Sequence, residues 1–437
     1  MANKAVSAAK RREGGTGSVR QRIVKAVSKS RVGELTQKLV NIPSPTGREG
    51  EISDFLAQEL EKIGLDVRLQ EVEAGRNNVI GRLPGKGRGR GRNLMFCAHF
   101  DTSATEADKI PGQQSRAVRM GDWIYGLGAS NMKNAFAGYI GAVEALMEAG
   151  AELNGDILIT GVVGEIEKAP VSLYQGIDYR GGGSGARFMM SHGVVADIAI
   201  IGEPTGMRIQ HGNTGYIFAR ITTQGIGQHT FSKDKGVDAI EKMVKIRTGL
   251  KAWEVEYRAS HPHPFMLVSV GISAIEGGLP FKPSFCPAPF CHLYIHITTL
   301  PGTTSVQVRN DLLEFLDRLE HNDPALHAEV DFYMVSNGYE ISPDHELVQT
   351  VHGIHKEIFK KDPFYPEPVR YSVSSDGGPI SEYGTVCITY GAGGITPSGV
   401  YSMYDGAKGE CLSIINLSNI TKAYALAAYD LCGPPPP

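Results

Sequence analysis

His99 and Asp101 follow an apolar run, LMFCA, and Glu165 follows another, ILITGVV. Glu203 ends a third, DIAIIG, while Asn131 lies in a glycine-rich loop, GLGASNMK, that leads into a helical pattern. Imidazole nitrogen, carboxylate oxygen and amide oxygen are all donors for a divalent cation. Side chains at i and i+2 share one face of a strand, so Asp101 is expected to accept a hydrogen bond from one ring nitrogen of His99. The other ring nitrogen then keeps a fixed lone pair for a metal. A bound ion with an open position lowers the pKa of its water, and a nearby carboxylate can take the proton. Alone, the His-x-Asp pair equally suits a surface ion pair, and Glu203 a solvated strand end. Four segments ending in such groups say more than any one of them.

The elements that must position these groups read as α/β. Asn78 to Leu83, Leu94 to Ala98, Ile157 to Val163 and the DIAII run before Gly202 are strand-like, the last three apolar on both faces. Ile52, Phe55, Leu56, Leu60 and Ile63 mark a helical face, and Asn134 to Ala149 a second helix. Buried strands alternating with helices predict a mainly parallel sheet with helices on both faces. Ligands collect beyond the carboxyl ends of such strands, where the polar segments fall. After His211 the pattern changes to strand, helix, two strands, helix and strand, the order of a small ferredoxin-like α+β unit. Helix and strand patterns of the first kind resume at His345 to Phe359 and Val386 to Tyr390. The organisation expected is a catalytic domain from 32–212 and 337–437, with an inserted unit at 213–336.

The chain has 437 residues, with 41% apolar and 21% charged, which predicts packed cores and two or three domains. Lys+Arg of 44 against Asp+Glu of 47 leaves a net charge of −3, arguing against a nucleic-acid partner. No apolar run has the roughly 20 residues of a membrane span. Six cysteines without a CxxC pair point to reduced core thiols. Residues 1–31 are basic with one acid, Glu13, and lack the apolar core of a secretory signal. They are expected to be a loosely ordered leader on a cytoplasmic protein.

Together the motifs resemble the metallohydrolase family that includes acetylornithine deacetylase, succinyl-diaminopimelate desuccinylase, carboxypeptidase G, aminoacylase and peptidase T. The resemblance runs from LVNIPSPTGREGE through AGRNNVIGRLPG, LMFCAHFDT, GLGASNMKNAFAG and VVGEIE to ADIAIIGEPTG and GNTGYIFARITTQGIGQHT. It implies metal ligands at His99, Asn131 and Glu203, and Glu165 as general base, with Asp101 behind His99. It also implies that the inserted unit is a lid that makes a homodimer and sends His229 towards the partner's site. Arg370 in PVRYSVSSDGG would hold a substrate carboxylate by a bidentate pair, with Ser374 beside it.

Three departures bear on the chemistry. Family members usually hold two ions bridged by an aspartate, and Asn131 stands at that position. The second position of the acidic pair is Ile166, with Glu167 one place later. The family's last metal histidine has no counterpart in GVYSMYDGAKGE, where Ser402, Met403 and Tyr404 stand. One ion per chain, Mn²⁺ or Zn²⁺, is therefore expected. The same departures resemble a divergent branch of the family and imply hydrolytic deamination of a nitro-substituted aromatic amine, 5-nitroanthranilate giving 5-nitrosalicylate and ammonia. The alternatives are an amidohydrolase, deacylase or dipeptidase acting on N-acyl amino acids, and a non-catalytic binding protein that kept the fold.

Overall fold

A computed structural model describes residues 18–87, 90–103, 115–363 and 374–434. The main sheet has six strands, in the order Asp66–Glu73, Arg76–Leu83, Ile157–Val162, Leu94–His99, Ile198–Ile201 and Val386–Thr389. The last four run parallel, and the first two add an antiparallel edge. Every residue of Leu94–His99 and Ile157–Val162 is buried, which is why both read as unbroken apolar runs. The exposed edge strand Asp66–Glu73 has no such run and escapes the sequence reading.

Long helices Asn134–Glu148 and Ile414–Cys432 pack against each other. Phe96, from the central strand, stacks on Tyr139 of the first at 4.9 Å and meets Tyr424 of the second at 5.4 Å. Helix Gly50–Lys62 covers the antiparallel edge, and Ser184–Ser191 packs on Gly377–Ser381.

Residues 18–31 are not loosely ordered. Ser18 caps helix Val19–Ala26 in a reciprocal box with Gln21, and a second helix begins at Lys29. Ile23 is fully buried, and Arg20 pairs with Glu357 and Asp430. Arg31 reaches Glu59 and Glu144, each at 3.1 Å. The basic charges find their acids far along the chain, where local composition cannot see them. Residues 1–17 lie outside the described residues.

The central segment has its own core. Its antiparallel sheet runs Val270–Gly277, Phe290–Thr299, Gly215–Gln224, Ala328–Ser336, with helices Ala239–Ser260 and Ser305–Asn322 packed on it. That is the expected order of elements, although the strand expected near Met266 begins at Val270. All six cysteines are free thiols. Among the described residues, no helix is long and apolar enough to cross a membrane.

Candidate metal centre and active site

The parallel strands deliver the polar groups to one edge. His99 is the last residue of its strand, and its register partner Val162 ends the neighbouring one. Gly164 then turns the chain with φ +64°, a conformation that favours glycine. A β-carbon there would also lie 2.7 Å from the Arg76 guanidinium and 2.4 Å from Ser184 Oγ. This corner swings Glu165 back over His99. Glu203 arrives from the other side, after Ile198–Ile201 and Gly202.

His99 is fully buried. Its Nε2 faces Asn131 Oδ1 at 3.1 Å, Glu165 Oε2 at 3.7 Å and Glu203 Oε1 at 3.7 Å. Donor atoms of His99, Glu165 and Glu203 all lie within 4.8 Å of one another. Three oxygens around one ring nitrogen repel its lone pair unless a proton or a cation sits among them. Asp376, also buried, has no hydrogen-bond partner for either carboxylate oxygen among the described residues, and its charge bears on His99 and Glu203. A buried set of one imidazole nitrogen and several oxygens, short of positive charge, fits a divalent cation.

The His99–Asp101 relation differs from the expectation. Nδ1 donates to the backbone carbonyl of Asp101 at 2.9 Å, and the carboxylate stands further off at 3.5 Å. The Asp101 carboxylate is occupied elsewhere. It accepts the backbone N–H groups of Glu165 and Ile166 at 2.9 and 3.1 Å and the Thr46 hydroxyl at 2.8 Å. Asp101 therefore fixes the turn that carries Glu165, while a carbonyl fixes the ring of His99. Glu49 adds a second tie, accepting Gly164 N–H at 3.1 Å while held bidentately by the fully buried Arg76 at 2.7 and 2.9 Å.

Asn131 is placed by a loop wrapped around Glu410. One oxygen of that carboxylate accepts the N–H groups of Gly128, Ser130 and Asn131 at 3.0, 3.1 and 3.1 Å. Burial pushes Glu410 up to about 7 against those three amides. Glu410 closes the GVYSMYDGAKGE segment, but nothing local reveals that it folds back onto residues 128–131. Asp376 belongs to a turn visible in sequence, whereas its burial among the acids is not.

The other expected residues are more scattered. Ser374 donates to Glu167 at 2.6 Å and lines a cavity of about 320 Å³ with Asn131 and Glu203. Tyr401, Ser402, Met403 and Tyr404 form another wall of that cavity. His229 sits exposed on the central unit, its ring stacked on Phe231 at 4.9 Å, outside the His99 cluster. Arg370 lies outside the described residues.

The acids raise the proton affinity of the imidazole, while burial raises that of the acids against the opposing pull of His99. Burial alone would push His99 down, but Asp101, Glu165 and Glu203 beside it hold its pKa well above the ordinary value. Burial, only partly offset by His99, raises Glu203 to about 7. A metal ion needs neutral imidazole and ionised carboxylate, so it must displace protons that both groups hold unusually tightly. Metal affinity should accordingly fall as pH drops through about 7, by about tenfold per unit for each proton displaced. Calorimetric titration with Mn²⁺ across that range, in buffers of different ionisation enthalpy, measures both slope and proton release. A flat affinity would contradict this balance.

An α/β sheet with an imidazole–carboxylate cluster at its carboxyl edge and an inserted α+β unit defines a metallohydrolase architecture. Residues 95–427 match peptidase family M20/M25/M40, and the chain belongs to that family. It is 26% identical over 388 residues to an N-formyl-4-amino-5-aminomethyl-2-methylpyrimidine deformylase of Bacillus subtilis, covering 82% of this chain and 86% of that one. With an acetylornithine deacetylase of Photorhabdus laumondii it shares 26% over 335 residues, 73% of this chain and 80% of the other. The aminopeptidase PepT structure from Bacillus cereus superposes with a TM-score of 0.69 at 16% identity, covering 93% of this chain and 99% of that one. The chain is thus an enzyme of a metal-dependent family that hydrolyses C–N bonds.

Proposed function

We propose that this chain hydrolyses the amide C–N bond of a small N-acylated amine or amino acid, with Glu165 as general base. A divalent ion, Mn²⁺ or Zn²⁺, would be held by His99, Asn131 and Glu203. The observation that carries the reading is the convergence of the His99, Glu165 and Glu203 donor atoms within 4.8 Å of one another, with His99 and Glu165 buried and Glu203 half-buried. The formyl and acetyl amides named for the relatives support it. When bound, the ion would polarise the scissile group and activate water. Glu165, clamped through its backbone by Asp101, would take a proton at its carboxylate and return it to the leaving amine. Ser374 at the cavity wall, with Arg370, would orient a substrate carboxylate.

We assign one ion per chain. Asn131 offers a neutral oxygen where a bridging carboxylate would be needed, and Ser402, Met403 and Tyr404 offer no imidazole or carboxylate on the facing wall. The central unit is assigned as a homodimer contact that brings His229 to the partner's site. Phe231, 96% exposed beside His229, and Phe281, 82% exposed, are apolar groups that such a contact would cover. A sedimenting mass near twice the 47.1 kDa of one chain is expected.

A second reading rests on the cavity wall of Tyr401, Met403 and Tyr404, which suits a planar ring beside Glu203. In it, water adds to the amine-bearing carbon of a nitro-substituted aromatic amine such as 5-nitroanthranilate, the nitro group accepts the charge, and ammonia leaves. Metal-loaded protein assayed in parallel for cleavage of N-formyl and N-acetyl amino acids and for ammonia from 5-nitroanthranilate separates the two. Amide cleavage alone supports the first reading, and ammonia alone the second. Neither product from a chain carrying its metal would leave a binding protein.

A further inference from the structure

Glu410 lies outside the metal-donor set, yet three backbone N–H groups of the loop carrying Asn131 converge on its Oε2. The loop has further ties, one within its own stretch of chain and one to a distant segment. Asn134 Nδ2 donates to the carbonyls of Ala129 and Ser130 at 3.0 and 2.9 Å, and Ser130 Oγ accepts Gly394 N–H at 2.9 Å. A loop whose amides point inward at one anion has a single shape, because each N–H loses its partner if the backbone rotates. The anion comes from the far end of the chain. Glu410 precedes the strand Cys411–Ser413, which pairs with Trp123–Tyr125 just ahead of the loop. Its own carbonyl accepts Gly126 N–H at 3.1 Å, so backbone and side chain together staple both ends of the Gly126–Asn131 turn.

We propose that Glu410 is the positioning residue for the metal loop: by collecting the amides of Gly128, Ser130 and Asn131 it holds the Asn131 side-chain oxygen opposite His99 in the geometry an ion requires. This rests on the reading of His99, Asn131 and Glu203 as ligands. The reach of the carboxylate matters here, since a group one carbon shorter cannot meet three amides spread over four residues. Its charge matters less, because an amide oxygen in the same place can accept the same bonds.

Two near-isosteric variants separate reach from charge. E410D keeps the charge and loses the reach, whereas E410Q keeps the reach and loses the charge. Partners that orient metal ligands change metal affinity by about 10–100-fold when removed. E410D should weaken Mn²⁺ binding by that factor in a chelator competition, and peptides covering 126–134 of the metal-free protein should exchange amide hydrogen faster. E410Q should stay within about threefold of the parent in both readouts, while turnover of E410D should recover at saturating Mn²⁺. Wild-type affinity and exchange in E410D would overturn the proposal, as would an E410Q that loses its metal while E410D keeps it. H99A distinguishes the underlying reading. If H99A binds Mn²⁺ as tightly as the parent, the ligand assignment has failed, whatever the Glu410 variants do.

Discussion

A Glu165→Gln enzyme should keep its metal and lose about 10²–10⁴-fold in turnover, the scale of general acid–base assistance. Glutamine preserves the volume and one acceptor oxygen, so the Asp101 bonds to the turn, made by backbone amides, survive the change. What disappears is the group that can take a proton beside His99. The assignment is exposed to a specific failure, because Glu165 Oε2 stands as near to His99 Nε2 as Glu203 Oε1 does, both at 3.7 Å. If the variant binds Mn²⁺ tenfold or more weakly, Glu165 is a ligand and the base lies elsewhere. Unchanged turnover would make it structural.

Asp101→Ala should be the costliest single change to the fold near the site. It orphans the buried amide of Glu165, at about 1–3 kcal/mol, and the part-buried amide of Ile166, which water can reach more readily and which adds less. The same loss frees the Glu165 turn, and activity should fall even under conditions where the variant remains folded. Denaturant unfolding of the metal-free proteins gives the first quantity, and turnover at saturating metal the second. The His99 ring should stay in register, because its Nδ1 hydrogen bond runs to the backbone carbonyl of residue 101, which any side chain leaves in place. A variant that loses less than about 1 kcal/mol would show that water replaces the carboxylate at those amides.

What was legible in the sequence follows the range of the forces involved. Leu94–His99 and Ile157–Val162 are buried on both faces, and an unbroken apolar run announces such a strand without reference to the rest of the chain. Their polar termini mark the site for the same reason. No residue of Asp66–Glu73 at the edge of the sheet is buried, and its four charged residues break any apolar run. Strand periodicity does not reveal the partners of the Asp101 carboxylate, because it says which face a side chain occupies, not which donors fold down onto it. Its donors, at 165 and 166, arrive from the next strand's turn. Glu410 and the pairs of Arg20 and Arg31 escape for a related reason: each contact spans more than a hundred residues of chain, apart from that of Arg31 with Glu59.

The main sheet is built from both ends of the chain, with the central unit between Ile201 and Val386. That arrangement sets an order of assembly. His99, Asn131, Glu165 and Glu203 leave the ribosome early, while Tyr401–Tyr404 and Glu410 come in the final stretch. At the usual pace of synthesis, about 10–40 s separate the Ile198–Ile201 strand from its neighbour Val386–Thr389. Meanwhile the central unit, whose core draws on its own residues, has all it needs to fold. The nascent half-sheet waits with Ile198–Ile201 as an open, apolar edge, the kind of surface that attracts other strands. The pocket closes last.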